Sequence, residues 1–181
     1  MRALHLAGAG LALAALAGCG RDAGRDMVSP RLNAVTNPSG PMASGHTNWI
    51  NPAGEYVSRS FQARAIAPST VPGSYVAEGN FVQHITALNG TKRVNKGDIT
   101  CLRLIPPNDA VLSGPVEENI NPLLIGQTQI FREQDNGEGA GAVEDAQSPL
   151  FFRTAESGID CRNFTPPAVT PIESGNIQVK P

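Results

Sequence analysis

The residues best suited to chemistry lie in one acidic, glycine-rich segment, residues 133–145. Asp135, Asn136, Glu138 and Asp145 supply the hard oxygen ligands that Ca²⁺ prefers, and the intervening glycines let backbone carbonyls turn inward. Their spacing differs from that of an EF-hand loop, which alternates its ligands around a fixed glycine and ends on a glutamate. Two hypotheses stay open: a calcium site formed by these four residues, and a solvated loop in which the Asp-Asn-Gly run forms a turn.

The chain offers few other groups for catalysis. Apart from His5, near the N-terminus, its histidines are His46 and His84, so a catalytic histidine would have to be one of these two. The sequence contains no G-x-S-x-G, C-x-x-C or H-E-x-x-H motif, which are typical of serine hydrolases, redox dithiols and zinc enzymes. We therefore expect a non-enzymatic protein. The alternative is an envelope hydrolase or metal-dependent enzyme that uses the acidic segment together with His84.

The N-terminus has the layout of an export signal. A single early charge, Arg2, precedes an apolar run from residue 3 to residue 17. At about 15 residues, this run is shorter than the roughly 20 residues that a membrane-spanning helix needs. The tetrad Leu16-Ala17-Gly18-Cys19 at its end resembles the lipobox of bacterial lipoproteins. This resemblance implies that Cys19 receives a diacylglyceryl thioether, becomes the mature N-terminus and is then acylated, as with palmitate.

A lipid on Cys19 would anchor the protein to a bacterial cell membrane on its extracytoplasmic face. Two or more acyl chains are enough for stable anchoring, whereas one chain is not. The sequence leaves open whether this is an inner or an outer membrane. An ordinary secretory signal also stays open as an alternative, because Ala15-Leu16-Ala17 satisfies the small-residue rule for cleavage.

The chain has three cysteines, and assigning Cys19 to the lipid leaves Cys101 and Cys161 as an even pair. An exported protein meets an oxidising environment, so this pair is a candidate disulfide. The alternative is two buried free thiols.

Charge and composition limit the partners of the protein. Its 181 residues include 14 basic and 16 acidic side chains, which provide no basic footprint for a phosphate backbone, so we expect no nucleic-acid partner. The expected partners are the membrane, through the N-terminal lipid, and an envelope protein or a wall glycan. Trp49, Tyr56 and Tyr75 offer rings that stack on sugars, although core packing is their commoner role. No cofactor is expected apart from the candidate Ca²⁺.

The chain divides into three parts by composition. Residues 1–18 form the predicted lipoprotein signal peptide, and residues 19–45 lack a periodic apolar pattern and are interpreted as a flexible, lipid-anchored linker. Residues 46–181 form the predicted domain. It contains short runs of β-branched and aromatic residues between Gly, Pro and Asn, which is the pattern of an antiparallel all-β domain.

We predict a β-sandwich or barrel-like domain of about eight short strands. Nineteen glycines and fifteen prolines argue against long helices. The predicted strands are Tyr56–Ala65, Ser74–Ala87, Lys92–Val94, Asp98–Ile105, Ala110–Val116, Thr128–Glu133, Pro149–Arg153 and Asn176–Val179.

Local patterns add five finer expectations. Alternation in the first strand places Phe61 in the core. The strand through Cys101 has apolar residues on both faces and is expected to be central. Turns are predicted at Asn89–Gly90 and at Lys96–Asp98, and one helical turn at residues 116–120.

Several short motifs occur in a characteristic order along the domain. They are the runs Asn48-Trp49-Ile50-Asn51-Pro52-Ala53-Gly54-Glu55-Tyr56, Ile99-Thr100-Cys101-Leu102 with Asn108-Asp109-Ala110, Gln134-Asp135-Asn136-Gly137-Glu138-Gly139, and Ser174-Gly175-Asn176-Ile177-Gln178-Val179. Together they resemble a family of uncharacterised exported bacterial β-rich domains, over residues 45–181. The resemblance implies a sandwich-like fold and export, and no established activity. The leading hypothesis is a lipid-anchored envelope protein that acts as a binding or structural module, and a further alternative is a calcium-stabilised adhesion domain.

Overall fold

The computed structural model describes residues 40–138 and 141–181. The predicted signal peptide, Cys19 and residues 20–39 of the predicted linker lie outside the described residues. Within these residues, two short 3-10 helices, Pro122–Leu124 and Ala155–Ser157, interrupt a succession of strands and loops. The strands are β1 (Met42–Ile50), β2 (Tyr56–Pro68), β3 (Ser74–Thr86), β4 (Lys92–Asp98), β5 (Cys101–Ile105), β6 (Asp109–Asn119), β7 (Thr128–Gln134), β8 (Ala146–Gln147), β9 (Phe151–Arg153), β10 (Thr170–Pro171) and β11 (Ser174–Lys180).

The strands form one antiparallel sheet, so the predicted all-β sandwich or barrel-like class is confirmed. Its main path runs in the order β10-β8-β7-β6-β4-β3-β2-β1-β11, while β5 pairs with β3 and β6, and β9 pairs with β7. The two end strands, β10 and β11, are separated by only two residues. Of these, Ile172 donates its N–H to the carbonyl of Asp145, and Glu173 donates to that of Asn48. The sheet therefore curls until its two ends meet.

Strand β1 begins at Met42, inside the segment predicted as linker, and it lies between β2 and β11. Its inward positions are Ala43, Gly45, Thr47 and Trp49, of which only Trp49 is large and apolar, so the alternation is weak in the sequence. Only a glycine fits at position 45, because an added Cβ would lie 2.8 Å from the ring of Phe61. The formation of β1 thus depends on packing against distant residues, which cannot be recognised from the sequence of the strand itself.

The turn predicted at Lys96–Asp98 is wrong, because these residues continue β4 and the chain leaves the strand only after Asp98. Gly97 serves close packing: an added Cβ would clash with the carbonyl of Pro115 and meet the amide of Gln129. The predicted helical turn at residues 116–120 is also wrong, since β6 continues to Asn119. The predicted turn at Asn89–Gly90 is confirmed, with Gly90 at φ 81°.

The core fills the space inside the curled sheet. Phe61 is buried as predicted, and its ring meets that of Phe131 edge-on with centroids 6.0 Å apart. Phe81 packs against the same ring at 5.6 Å. A second cluster lies on the opposite face of β5, β6 and β7, where Cys101, Val111 and Ile130 meet residues 151–164. Strand β5 is therefore covered on both faces, as its two-sided apolar pattern predicted.

The second cluster contains a disulfide between Cys101 and Cys161, with a Cα–Cα distance of 5.9 Å. Arg103, two residues further along β5, donates to the carbonyls of Arg162 and Phe164 at 3.0 and 3.2 Å. The disulfide and the guanidinium together attach the segment around residue 161 to β5.

We expect loss of the disulfide to destabilise the domain strongly. The bridge closes a loop with a sequence separation of 60 residues, for which chain entropy gives about 4 kcal/mol. The double variant Cys101→Ala/Cys161→Ala should therefore lower the free energy of unfolding by about that amount in urea titrations. The matched control is the reduced wild-type protein, which should unfold like the variant. Equal midpoints for oxidised protein and variant would contradict the expectation.

Candidate functional site

The structure brings the predicted acidic residues together, and it uses their oxygens to hold β11. Asp145 accepts the backbone N–H of Ile177 on one carboxylate oxygen at 2.7 Å and that of Asn136 on the other at 2.8 Å. Asp135 accepts the N–H of Val179 at 2.9 Å and that of Gly137 at 2.9 Å. Carboxylates thus satisfy two backbone donors of β11 on the side away from β1, where strand pairing is missing.

Glu138 and Asn136 complete this contact. Glu138 accepts from the side-chain amides of Asn176 and Gln178 at 3.0 and 3.3 Å, and Asn136 donates to the carbonyl of Glu144 at 2.7 Å. Among residues 40–138 and 141–181, no group of three or more His, Cys, Asp or Glu side chains is placed to hold a metal ion. The calcium site stays a prediction, and the geometry gives its four residues a structural role as a clasp on β11.

The hydrolase alternative needs His84 to meet the acidic segment, and the structure does not bring them together. His84 is exposed on the outer face of β3, in register with Ser58 of β2 and Val94 of β4. The acidic segment contacts β11, which is three strand positions from β3 in the sheet. At the usual strand spacing this separation is about 14 Å. His46 is also exposed, on the outer face of β1, where Ser60 is its register partner in β2.

Arg59 forms a fully buried polar contact that no local sequence pattern reveals. Its side chain is fully buried, and its Nη1 donates to Oε1 of Glu133, also fully buried, at 2.6 Å. Arg59 donates twice more to Oε1 of Gln83, at 3.0 and 2.8 Å, and once to the carbonyl of Ser148 at 3.1 Å. One guanidinium therefore links strands β2, β3 and β7 and the residue that follows β8.

Aromatic rings enclose the same guanidinium. The Arg59 guanidinium carbon lies 5.0 Å from the ring centre of Trp49 and 4.9 Å from that of Phe131, which are cation–π distances. Trp49 is therefore buried in the core. Of the other two rings considered for sugar stacking, Tyr75 is half-buried, while Tyr56 is 45% exposed.

Burial raises the pKa of Glu133 to about 7, because the loss of hydration outweighs the charge and hydrogen bond of Arg59. The nearby charge of Asp145 raises it further. No described residue donates to the second carboxylate oxygen, Oε2. This carboxyl group is held ready to accept a proton near neutral pH, while Arg59 fixes its position.

The outer face of the same sheet is exposed and polar. Outward positions of β11, β1, β2 and β3 align in three rows, and we call their polar members the polar face. They are Gln178, Ser44, Gln62 and Asn80 in the first row; Asn176, His46 and Ser60 in the second; and Ser174, Asn48, Ser58 and His84 in the third. The twelfth position is Val82. Four strands and three rows cover about 14 by 13 Å.

A hydrogen-bond network fixes part of the polar face. Tyr56, at the edge of the third row, donates its hydroxyl to Oδ1 of Asn48 at 2.8 Å. The amide nitrogen of Asn48 donates to Oγ of Ser174 at 3.3 Å and lies 3.4 Å from Nε2 of His46. Nδ1 of His46 shares a hydrogen bond with Oγ of Ser60 at 2.8 Å. Five side chains from three strands are thus held in one arrangement.

No family model, curated protein or solved structure matches the chain. The resemblance to exported β-rich domains therefore stays a prediction. In the part of the chain that the structure describes, no helix is both long enough and apolar enough to cross a bilayer.

The raised pKa of Glu133 predicts pH-dependent stability. An ordinary glutamate has a pKa of 4.5 and Glu133 one of about 7, so between these values the folded state holds a proton that the unfolded state releases. The resulting stabilisation is complete below the lower value and is lost as the pH rises through the higher one. We expect the free energy of unfolding, measured in urea, to fall on the order of 2 kcal/mol from about pH 5 to about pH 8.

Glu133→Gln is the matched control for this titration, because the amide has the same shape and cannot ionise. The difference in unfolding free energy between wild type and variant should therefore change with pH over this range. A constant difference would contradict the raised pKa.

Proposed function

We propose that the protein is a lipid-anchored, non-enzymatic binding module on the extracytoplasmic face of a bacterial cell membrane. Cys19 carries the lipid, and the β-rich domain carries the binding surface. Membrane lipid is the partner at one end of the chain, and a component of the cell envelope is the partner at the other.

The sequence motif supports the anchor. An apolar run too short to span a bilayer ends at Leu16-Ala17-Gly18-Cys19, which is the position of the modified cysteine in a lipobox. The Cys101–Cys161 disulfide of the domain supports the same route, because disulfides persist in oxidising compartments outside the cytoplasm.

The polar face is the single observation that carries the binding role. It spans four adjacent strands, and its hydrogen-bonding groups point outward from a sheet whose interior is fixed by Arg59. A preorganised surface of this kind loses little conformational freedom when a ligand binds. A catalytic role has less support, since His84 and the acidic segment are separated and the acidic oxygens are engaged with β11.

Lipidation of Cys19 can be tested directly in bacteria that process lipoproteins. We expect metabolic labelling with an alkyne fatty acid to mark the full chain, and intact mass to show a diacylglyceryl N-terminus. Cys19→Ala should lose the label and leave the membrane fraction, because no other residue of the proposal carries lipid.

The matched control is Cys101→Ala/Cys161→Ala, which should remain labelled. A wild-type protein that is soluble, unlabelled and cleaved after Ala17 would replace the anchor with simple secretion.

A further inference from the structure

The polar face has an unusual composition for an exposed sheet surface. Its three rows hold nine amide or hydroxyl side chains, two histidines and Val82. Charged residues make up 17% of the chain, and they lie outside these twelve positions. Lys180, Arg64 and Glu78 form the next row below, and Lys96 and Asp98 lie on the neighbouring strand β4. Glu138 bonds to Asn176 and Gln178 at the β11 edge of the face. Water solubility alone is usually served by interspersed charges, so the absence of Lys, Arg, Asp and Glu from the twelve positions indicates a neutral ligand on the part of the face away from that edge.

Several groups on the face have unused hydrogen-bonding capacity. The side chains of Ser44, Ser58, Gln62, Asn80 and His84 make no hydrogen bond to another described residue. Amides and hydroxyls both donate and accept, so these groups match a ligand that also carries both functions on each unit. Sugars have this property, since each hydroxyl donates one hydrogen bond and accepts others.

Tyr56 adds an aromatic ring to one edge of the face. It is 45% exposed, its outward neighbour in β1 is Ile50, 43% exposed, and its hydroxyl is fixed by Asn48. A ring with an apolar body and a polar tip can stack on the apolar side of a sugar while its hydroxyl stays in the hydrogen-bond network. The face thus combines a stacking platform with adjacent amides and hydroxyls.

We infer that the polar face binds an uncharged stretch of a glycan, with Tyr56 stacking on one sugar and the unpartnered side chains of Ser58, His84 and Gln62 bonding to sugar hydroxyls. This inference rests on the proposed function and names its ligand class. The dimensions of the face, about 14 by 13 Å, accommodate a short oligosaccharide. An anionic polymer is disfavoured, because no lysine or arginine occupies the three rows and the Glu138 carboxylate lies at their β11 edge.

The test is NMR titration of the full mature chain, labelled with ¹⁵N and held in a detergent without a sugar headgroup. The probes are the neutral tetramers of N-acetylglucosamine and of glucose, with tetragalacturonate as an anionic comparison. We expect a neutral tetramer to bind with a dissociation constant in the millimolar range or tighter. Amide shifts should be confined to β1, β2, β3 and β11.

Substitutions then locate the site. Ser58→Ala/His84→Ala and Tyr56→Ala should each weaken binding about 10-fold, whereas Tyr56→Phe, which keeps the ring, should weaken it less. Gln62→Ala/Asn80→Ala should also weaken binding with no loss of stability, because neither side chain bonds to a described residue. Gln127→Ala, in the loop before β7, is the matched control and should bind like wild type.

The inference would be overturned by the absence of shifts with either neutral tetramer at about 10 mM, or by shifts elsewhere on the domain. Tighter binding of the anionic tetramer would overturn it as well. Such results leave the anchor untouched, because lipid labelling of Cys19 is read independently. A missing lipid combined with glycan binding would instead overturn the anchor and leave the ligand in place.

Discussion

The architecture depends on a fully buried guanidinium. Arg59 lies between the rings of Trp49 and Phe131, donates to Gln83 and pairs with Glu133 across the interior. Removing such a charge from water is costly, and the cost is offset only when nearly every donor has a well-placed acceptor. Any shift of β2, β3 or β7 would leave part of this group unsatisfied. The pair therefore favours one packing of the curled sheet over its alternatives.

The fixed interior determines what the outside presents. With Arg59 and Phe61 pointing inward on β2, the alternating residues Ser58, Ser60 and Gln62 must point outward. Strand β11 completes this surface, although only β1 pairs with it through the backbone. Its other edge is held by carboxylates of the acidic segment, so residues that suggest a metal site in the sequence instead hold the edge of the proposed binding surface. The buried Arg59, the carboxylates that hold β11 and the polar face are thus connected through the same strands.

The sequence predicts those features that depend on neighbours along the chain. The all-β class, the burial of Phe61 and the turn at Asn89–Gly90 follow from alternation and turn chemistry, and the cysteine pair follows from counting. It does not predict features that depend on distant partners. Alternation along β2 indicates which face of the strand carries Arg59. It does not indicate the acceptor of this side chain, because Glu133 is 74 residues away. The outward rows likewise require the register between strands, which no local pattern gives, so the polar face was not found in the sequence.

A double-mutant cycle between Arg59 and Glu133 tests the central claim most directly. Urea unfolding would be measured for Arg59→Met, Glu133→Leu and the combined variant. Each single substitution leaves the other buried side chain without its partner and should lower the free energy of unfolding by about 3–5 kcal/mol. The combined variant should lose far less unfolding free energy than the sum of the two single losses. Losses that simply add would contradict the account, because they would mean that the two side chains stabilise the fold independently.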